Sequence, residues 1–177
     1  MKWSIVCLLI SAQLWSQKII WDDQRKLEWS NFQSKVNAMK NPDVVAYTHC
    51  GWEYSTVVSS DPSVPVKIMI NTIFREDKSW KDVKRINDYA LLHEQKHFDI
   101  AEIFARKLRK EVSENIKTSS DYQKKFKDIY SKISNEYKAF QTAYDKDTQN
   151  GMNKEKQAQY NTIIAEALEN LNSYKKS

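Results

Sequence analysis

The sequence predicts an α+β fold: a small antiparallel sheet or hairpin followed by three helices, with a metal-ligand motif on the long first helix. Apolar residues alternate with period two before residue 78 and recur at helical spacing after residue 80. Only two Gly and three Pro interrupt 177 residues, so long low-complexity linkers are excluded.

The elements follow in order. Thr48, Cys50, Trp52, Tyr54 and Thr56 share one side of a first alternating run over 47–58. Val64, Val66, Ile68, Ile70, Thr72 and Phe74 share one side of a second, over 64–74. Both are rich in β-branched and aromatic residues, and residues 59–63 between them (Ser-Ser-Asp-Pro-Ser) read as a turn, so a hairpin is expected. Leu27-Glu28-Trp29 and Phe32 are candidates for an earlier short strand. Ile86, Tyr89, Ala90, His93, His97, Ala101, Phe104 and Leu108 predict a helix over about 83–112. Tyr122, Phe126, Ile129, Ile133, Tyr137 and Phe140 predict a second, capped by Ser119 or Ser120. Gly151 breaks the chain, and Ala158, Ile163, Ala167, Leu168 and Leu171 predict a third.

Residues 1–16 read as a signal peptide: Lys2, then a mostly apolar stretch over 3–15, then the small Ser16 before Gln17. The stretch is shorter than the roughly 20 residues a spanning helix needs. Cys7 sits in its middle rather than at its end, which argues against a lipid anchor. Residues 17–177 are then a single exported domain, secreted or periplasmic, with Cys50 its one cysteine and no internal disulfide. The formal net charge of +5 comes from Lys spread among Glu and Asp without a stripe, which gives no reason to expect a nucleic-acid partner.

The chemistry concentrates in His93-Glu94-Gln95-Lys96-His97. On a helix, residues four apart project from one face, about 40° apart around the axis. Two neutral imidazoles so placed can fill two corners of a tetrahedral zinc site. Glu94 is set to reach the metal's water rather than the metal, as general base. This is the H-E-x-x-H pattern of zincin-like peptidases, in the helical context that it requires. The chain has three His, and two of them flank the required Glu at ligand spacing.

The segment Leu91-Leu92-His93-Glu94-Gln95-Lys96-His97-Phe98-Asp99-Ile100 resembles the signature of a bacterial family of predicted secreted zinc-dependent proteases, long filed as a domain of unknown function. Leu27-Glu28-Trp29-Ser30-Asn31-Phe32, Ser79-Trp80, Ala105-Arg106-Lys107-Leu108-Arg109 and Tyr144-Asp145-Lys146-Asp147-Thr148 are similar to further elements of it. The resemblance implies a zinc peptidase acting on a peptide or protein substrate, and it supplies no substrate identity. Two positions depart from the family. Lys96 stands where Gly is common, and Asn150 stands where a His commonly follows the Tyr-Asp-x-x-Thr element.

The third ligand is open at this stage. Glu102 and Asp99 lie about 140° and 160° around the helix from His97, too far to share its metal. Asp145 is the favoured candidate, with the Asn150 position and His49 as alternatives. Tyr144 either continues the Tyr137 and Phe140 stripe or stabilises an oxyanion, and the stripe is favoured. The 64–74 run is the expected sheet edge for an extended substrate. The reading from another class is a binding module that keeps the fold with impaired catalysis, motivated by Lys96 and Asn150.

Overall fold

The computed structural model describes residues 18–35 and 44–176. The expected signal peptide lies outside them. The predicted hairpin pairs β3 (Cys50–Val57) with β4 (Lys67–Arg75), Cys50 facing Phe74 and Val57 facing Lys67. A third strand, β1 (Lys18–Ile20), adds to the other side of β4, giving the order β1-β4-β3. The 64–74 run is therefore not the sheet edge expected from the sequence. β4 is the central strand, and β1 and β3 are the edges.

The run expected over 47–58 is divided. β2 (Ala46–Tyr47) pairs with β5 (Trp80–Lys81) in a separate two-stranded sheet. Between β2 and β3, the His49 carbonyl accepts from the Arg75 N–H (2.8 Å) while its own N–H donates to Ser79 Oγ (2.9 Å). The chain thus changes partners at Thr48–His49, and alternation alone does not register the change. The short strand considered near Leu27 is instead a 3₁₀ turn, Trp29–Asn31. There the Glu28 and Asn31 side chains close a capping box, while Leu27 and Phe32 are buried on either side.

Three helices follow: α1 (Asp88–Asn115), α2 (Ser119–Thr148) and α3 (Lys154–Asn170). α1 starts later than the periodicity predicts. Asp82 first makes a turn, accepting the Lys84 N–H (3.0 Å) and pairing with Arg85 (2.8 Å), and Asn87 then caps the helix through the Ala90 N–H (2.9 Å). Thr118 is the cap of α2, in a capping box with Asp121. Ser119 and Ser120, the two candidate caps, are its first two helical residues.

α1 is the axis of the molecule, packed by the three-stranded sheet, α2 and α3. Every residue from Phe98 to Arg106 is buried, including Asp99, Glu102 and Arg106. A helix enclosed on all sides can carry charge only where each group is partnered. Glu102 accepts from Arg106 (2.9 Å), Arg109 (3.0 Å) and Thr72 (2.5 Å), and Asp99 accepts from Lys96 (2.8 Å), Gln95 (2.9 Å) and the Trp21 indole (3.0 Å). The apolar core splits accordingly, with Ile70, Ile100, Phe104, Leu108, Phe126 and Ile164 between the sheet and the helices. Ile19, Leu27, Phe32, Phe74 and Phe98 fill the N-terminal side. Among the described residues, no helix is long and apolar enough to cross a membrane.

Candidate metal centre

His93 and His97 occupy the second and third turns of α1 and share one face. Each imidazole is held through Nδ1 by a glutamine from another helix. Gln157 Oε1 of α3 lies 2.9 Å from His93 Nδ1, and Gln141 Oε1 of α2 lies 2.5 Å from His97 Nδ1. The amide nitrogens are committed elsewhere: Gln157 donates to Asn161 Oδ1 (2.9 Å), and Gln141 donates to the His97 carbonyl (3.0 Å). Oxygens therefore face the rings, which holds a proton on each Nδ1 and turns both Nε2 atoms toward the cleft. Tyr144 stacks on the His93 ring at 4.7 Å, 16° from parallel, and its hydroxyl donates to the His93 carbonyl (3.2 Å).

Both Nε2 atoms converge on Asp145. They lie 3.2 Å apart, with Asp145 Oδ1 2.9 Å from that of His97 and 3.4 Å from that of His93. Donors bonded at about 2.0–2.1 Å to one tetrahedral ion would sit about 3.3–3.4 Å apart. The 3.2 and 3.4 Å separations match that spacing while the 2.9 Å one is a hydrogen-bond distance, and the three side chains form a group that could hold a metal ion.

Electrostatics agrees with the geometry. Burial pushes the His97 imidazole down, but the Asp145 hydrogen bond and charge, with Glu94, outweigh it and raise it to about 9. Burial pushes the Asp145 carboxyl up, and hydrogen bonds from His93 and His97 reverse this and hold it well below the usual range. Positive charge, whether a proton or a metal ion, is favoured between these groups.

Glu94 adds the remaining element. It is buried, and its Oε2 has no hydrogen-bond partner. It lines the same cleft of about 610 Å³ as the three donors, between the 44–50 stretch on one side and α2 on the other. A buried carboxylate oxygen left free beside such a cleft is placed to meet a bound molecule.

The comparison with known families adds one fact. A family model described as a bacterial protein of unknown function (DUF922) matches residues 37–152. The chain belongs to the DUF922 family. No curated protein and no solved structure matches it.

The DUF922 match contains His93, Glu94, His97, Gln141 and Asp145, whereas Gln157 lies beyond it. Of the sequence alternatives, Asp145 joins the two histidines. Asn150 and His49 line the cleft without entering the group. Lys96 turns away to its ion pair with Asp99, so the extra cation does not face the donors. Tyr144 is buried beneath His93 and continues the apolar stripe.

The two glutamines and the Gly151 contact escaped the sequence reading. Gln141 falls between Tyr137 and Tyr144 on the stripe of α2, and Gln157 falls at helical spacing before Tyr160 and Ile164. A polar residue interrupting an apolar stripe was the available signal. Gly151 has φ +84°, and a Cβ there would come within 3.1 Å of the His93 ring, so the turn can close against the imidazole only with glycine.

Proposed function

We propose that this DUF922 chain is a zinc-dependent peptidase of zincin-like type, exported to the periplasm or the medium, with His93, His97 and Asp145 as ligands and Glu94 as general base. The observation that carries the reading is the convergence of His93 Nε2, His97 Nε2 and Asp145 Oδ1 beside an unpartnered, buried Glu94 oxygen. Two imidazoles and one carboxylate suit zinc and leave a fourth position open. Zinc held there supplies Lewis acidity and an activated water.

The chain's own groups do the rest. Gln141 and Gln157 fix the imidazole tautomers and aim both Nε2 atoms. Glu94 takes the proton of the attacking water and passes it to the leaving amide nitrogen. The cleft walls orient an extended peptide.

Metal analysis of protein purified without chelator is expected to give one equivalent of zinc, lost in His93→Ala, His97→Ala and Asp145→Ala and kept in Asn150→Ala. Glu94→Gln is expected to keep zinc while peptide hydrolysis falls about 10²–10⁴-fold. If Asp145→Ala retains full zinc and Asn150→His binds it more tightly, the third ligand is missing from this chain. The impaired binding module then replaces the enzyme.

A further inference from the structure

We propose that Lys138 makes one end of the metal cleft a subsite for a carboxylate. The preferred substrates are then peptides that carry an acidic side chain, or end in a free C-terminus, a few residues from the reacting bond. The proposal rests on the peptidase reading and gives the chemical class of its substrate.

The two ends of the cleft differ in chemistry. The 44–50 stretch runs alongside α1 in the same direction. The Asp82 N–H donates to the Val45 carbonyl (2.8 Å) ahead of the helix, Thr48 Oγ1 donates to the Glu94 carbonyl (3.3 Å), and the Cys50 thiol donates to that of His97 (3.3 Å). The end nearest the start of α1 is therefore apolar, lined by Val44, Val45, Ala46 and Ala90. The other end lies between Cys50 and α2. There the Tyr137 hydroxyl donates to the Cys50 carbonyl (3.1 Å), and Lys138 comes next in the wall.

On that stretch of α2 the polar side chains are committed, with one exception. Gln141 is bonded to His97 through both ends of its amide, Tyr137 holds Cys50, and Thr142 Oγ1 donates to the Lys138 carbonyl (2.9 Å). The Lys138 ammonium is exposed, and no carboxylate among the described residues pairs with it. The two carboxylates lining the cleft, Glu94 and Asp145, stand at the proposed zinc. His49 adds no charge at neutral pH, because burial, followed by Lys78 and Arg75, pulls its imidazole below the usual value. Among the described residues lining the cleft, Lys138 is thus the one permanent cation. A cation with no counterpart in the wall attracts and orients an anionic group on the ligand.

Spacing sets where that group falls on the substrate. Lys138, Gln141 and Asp145 lie at i, i+3 and i+7 and share one face of α2. At 1.5 Å per residue, Lys138 stands about 10 Å along the axis from Asp145. An extended peptide advances about 3.4 Å per residue, so the carboxylate belongs roughly two to four residues from the reacting bond.

The test follows hydrolysis by the zinc-loaded full chain of four N-acetylated, mixed-sequence octapeptide pools. One is neutral and amidated, one amidated with a single Glu at varied position, one amidated with a single Lys, and one neutral with a free C-terminus. The Glu pool is expected to exceed the neutral pool in kcat/KM roughly two- to fivefold, the worth of an ion pair open to solvent. Mass spectrometry of the products is expected to place Glu two to four residues from the cut, always on the same side. A gain in the free C-terminus pool assigns the subsite to the chain end, and a gain in the Glu pool assigns it to a side chain. In Lys138→Ala the advantage is expected to vanish with zinc retained, and in Lys138→Glu to pass to the Lys pool. Lys132→Glu makes the same charge change at an exposed position of α2 outside the cleft and should keep the parent's preference. Equal cleavage of charged and neutral pools by the parent, or a Lys132→Glu that inverts the preference as Lys138→Glu does, overturns the subsite and leaves the peptidase standing. If no pool is cleaved faster than by Glu94→Gln, the peptidase reading falls and the subsite falls with it.

Discussion

At the scale of single residues, the amides that hold the imidazoles are as telling as the ligands. A carboxylate at Nδ1 would raise ligand basicity, whereas Gln141 and Gln157 orient the rings without adding charge. Gln157→Leu is expected to weaken metal binding about 10–100-fold in a chelator competition, with far-ultraviolet dichroism unchanged. Tyr144→Phe, which keeps the stacked ring, should lose less. Equal affinity in Gln157→Leu and the parent would show that stacking alone orients His93. Cys50 makes a second case. Burial, the largest effect, pushes its thiol up to about 12. The thiolate is therefore scarce at pH 8, and iodoacetamide is expected to label the half-buried Cys50 slowly in the folded protein and rapidly after unfolding; equal rates in both states would contradict the raised thiol. His93, Glu94 and His97 were legible in the sequence because their spacing is local to one helix. Asp145 was legible only as one of several candidates, since its role depends on how α2 crosses α1. Gln141 and Gln157 had no local signature beyond interrupting an apolar stripe.

At the scale of elements, helices were easier to read than strands. Apolar residues recurring along α1, α2 and α3 gave all three, and the ends moved where short-range polar contacts won. The Asp82 turn and the Asn87 cap delay α1, and the Thr118 capping box sets α2. Asn87→Ala is expected to cost about 1 kcal/mol in denaturant unfolding, the worth of one N-cap, and to loosen the turn preceding His93. No change in the unfolding midpoint would mean that tertiary packing alone fixes that end. The hairpin was legible in its alternation, but the partner exchange at Thr48–His49 and the three-residue β1 were not. Both depend on contacts with distant segments, which period two does not encode. The same blindness misplaced the sheet edge.

For the whole molecule, the donors come from two helices, and the unfolded chain does not hold them together. A metal ion that binds only the folded form at a thousandfold excess over its Kd adds about 4 kcal/mol. In a chain of this size that corresponds to a melting temperature higher by roughly 10 °C. Calorimetry is expected to show this rise with zinc, its reversal by chelator, and its absence in Asp145→Ala. A melting temperature indifferent to zinc in the parent would mean that the donors do not hold the ion. The enclosure of α1 has a consequence for descent. Asp99, Glu102, Arg106 and Arg109 answer to buried partners in the core and would be kept by any relative that folds this way. His93, His97, Gln141, Asp145 and Gln157 answer chiefly to one another. On the proposed metal reading, a lineage without the ion would let those five drift together while the first four stand still. Two signatures are therefore written into one helix and its neighbours, and a relative that retains one while scattering the other has inherited the architecture without the chemistry.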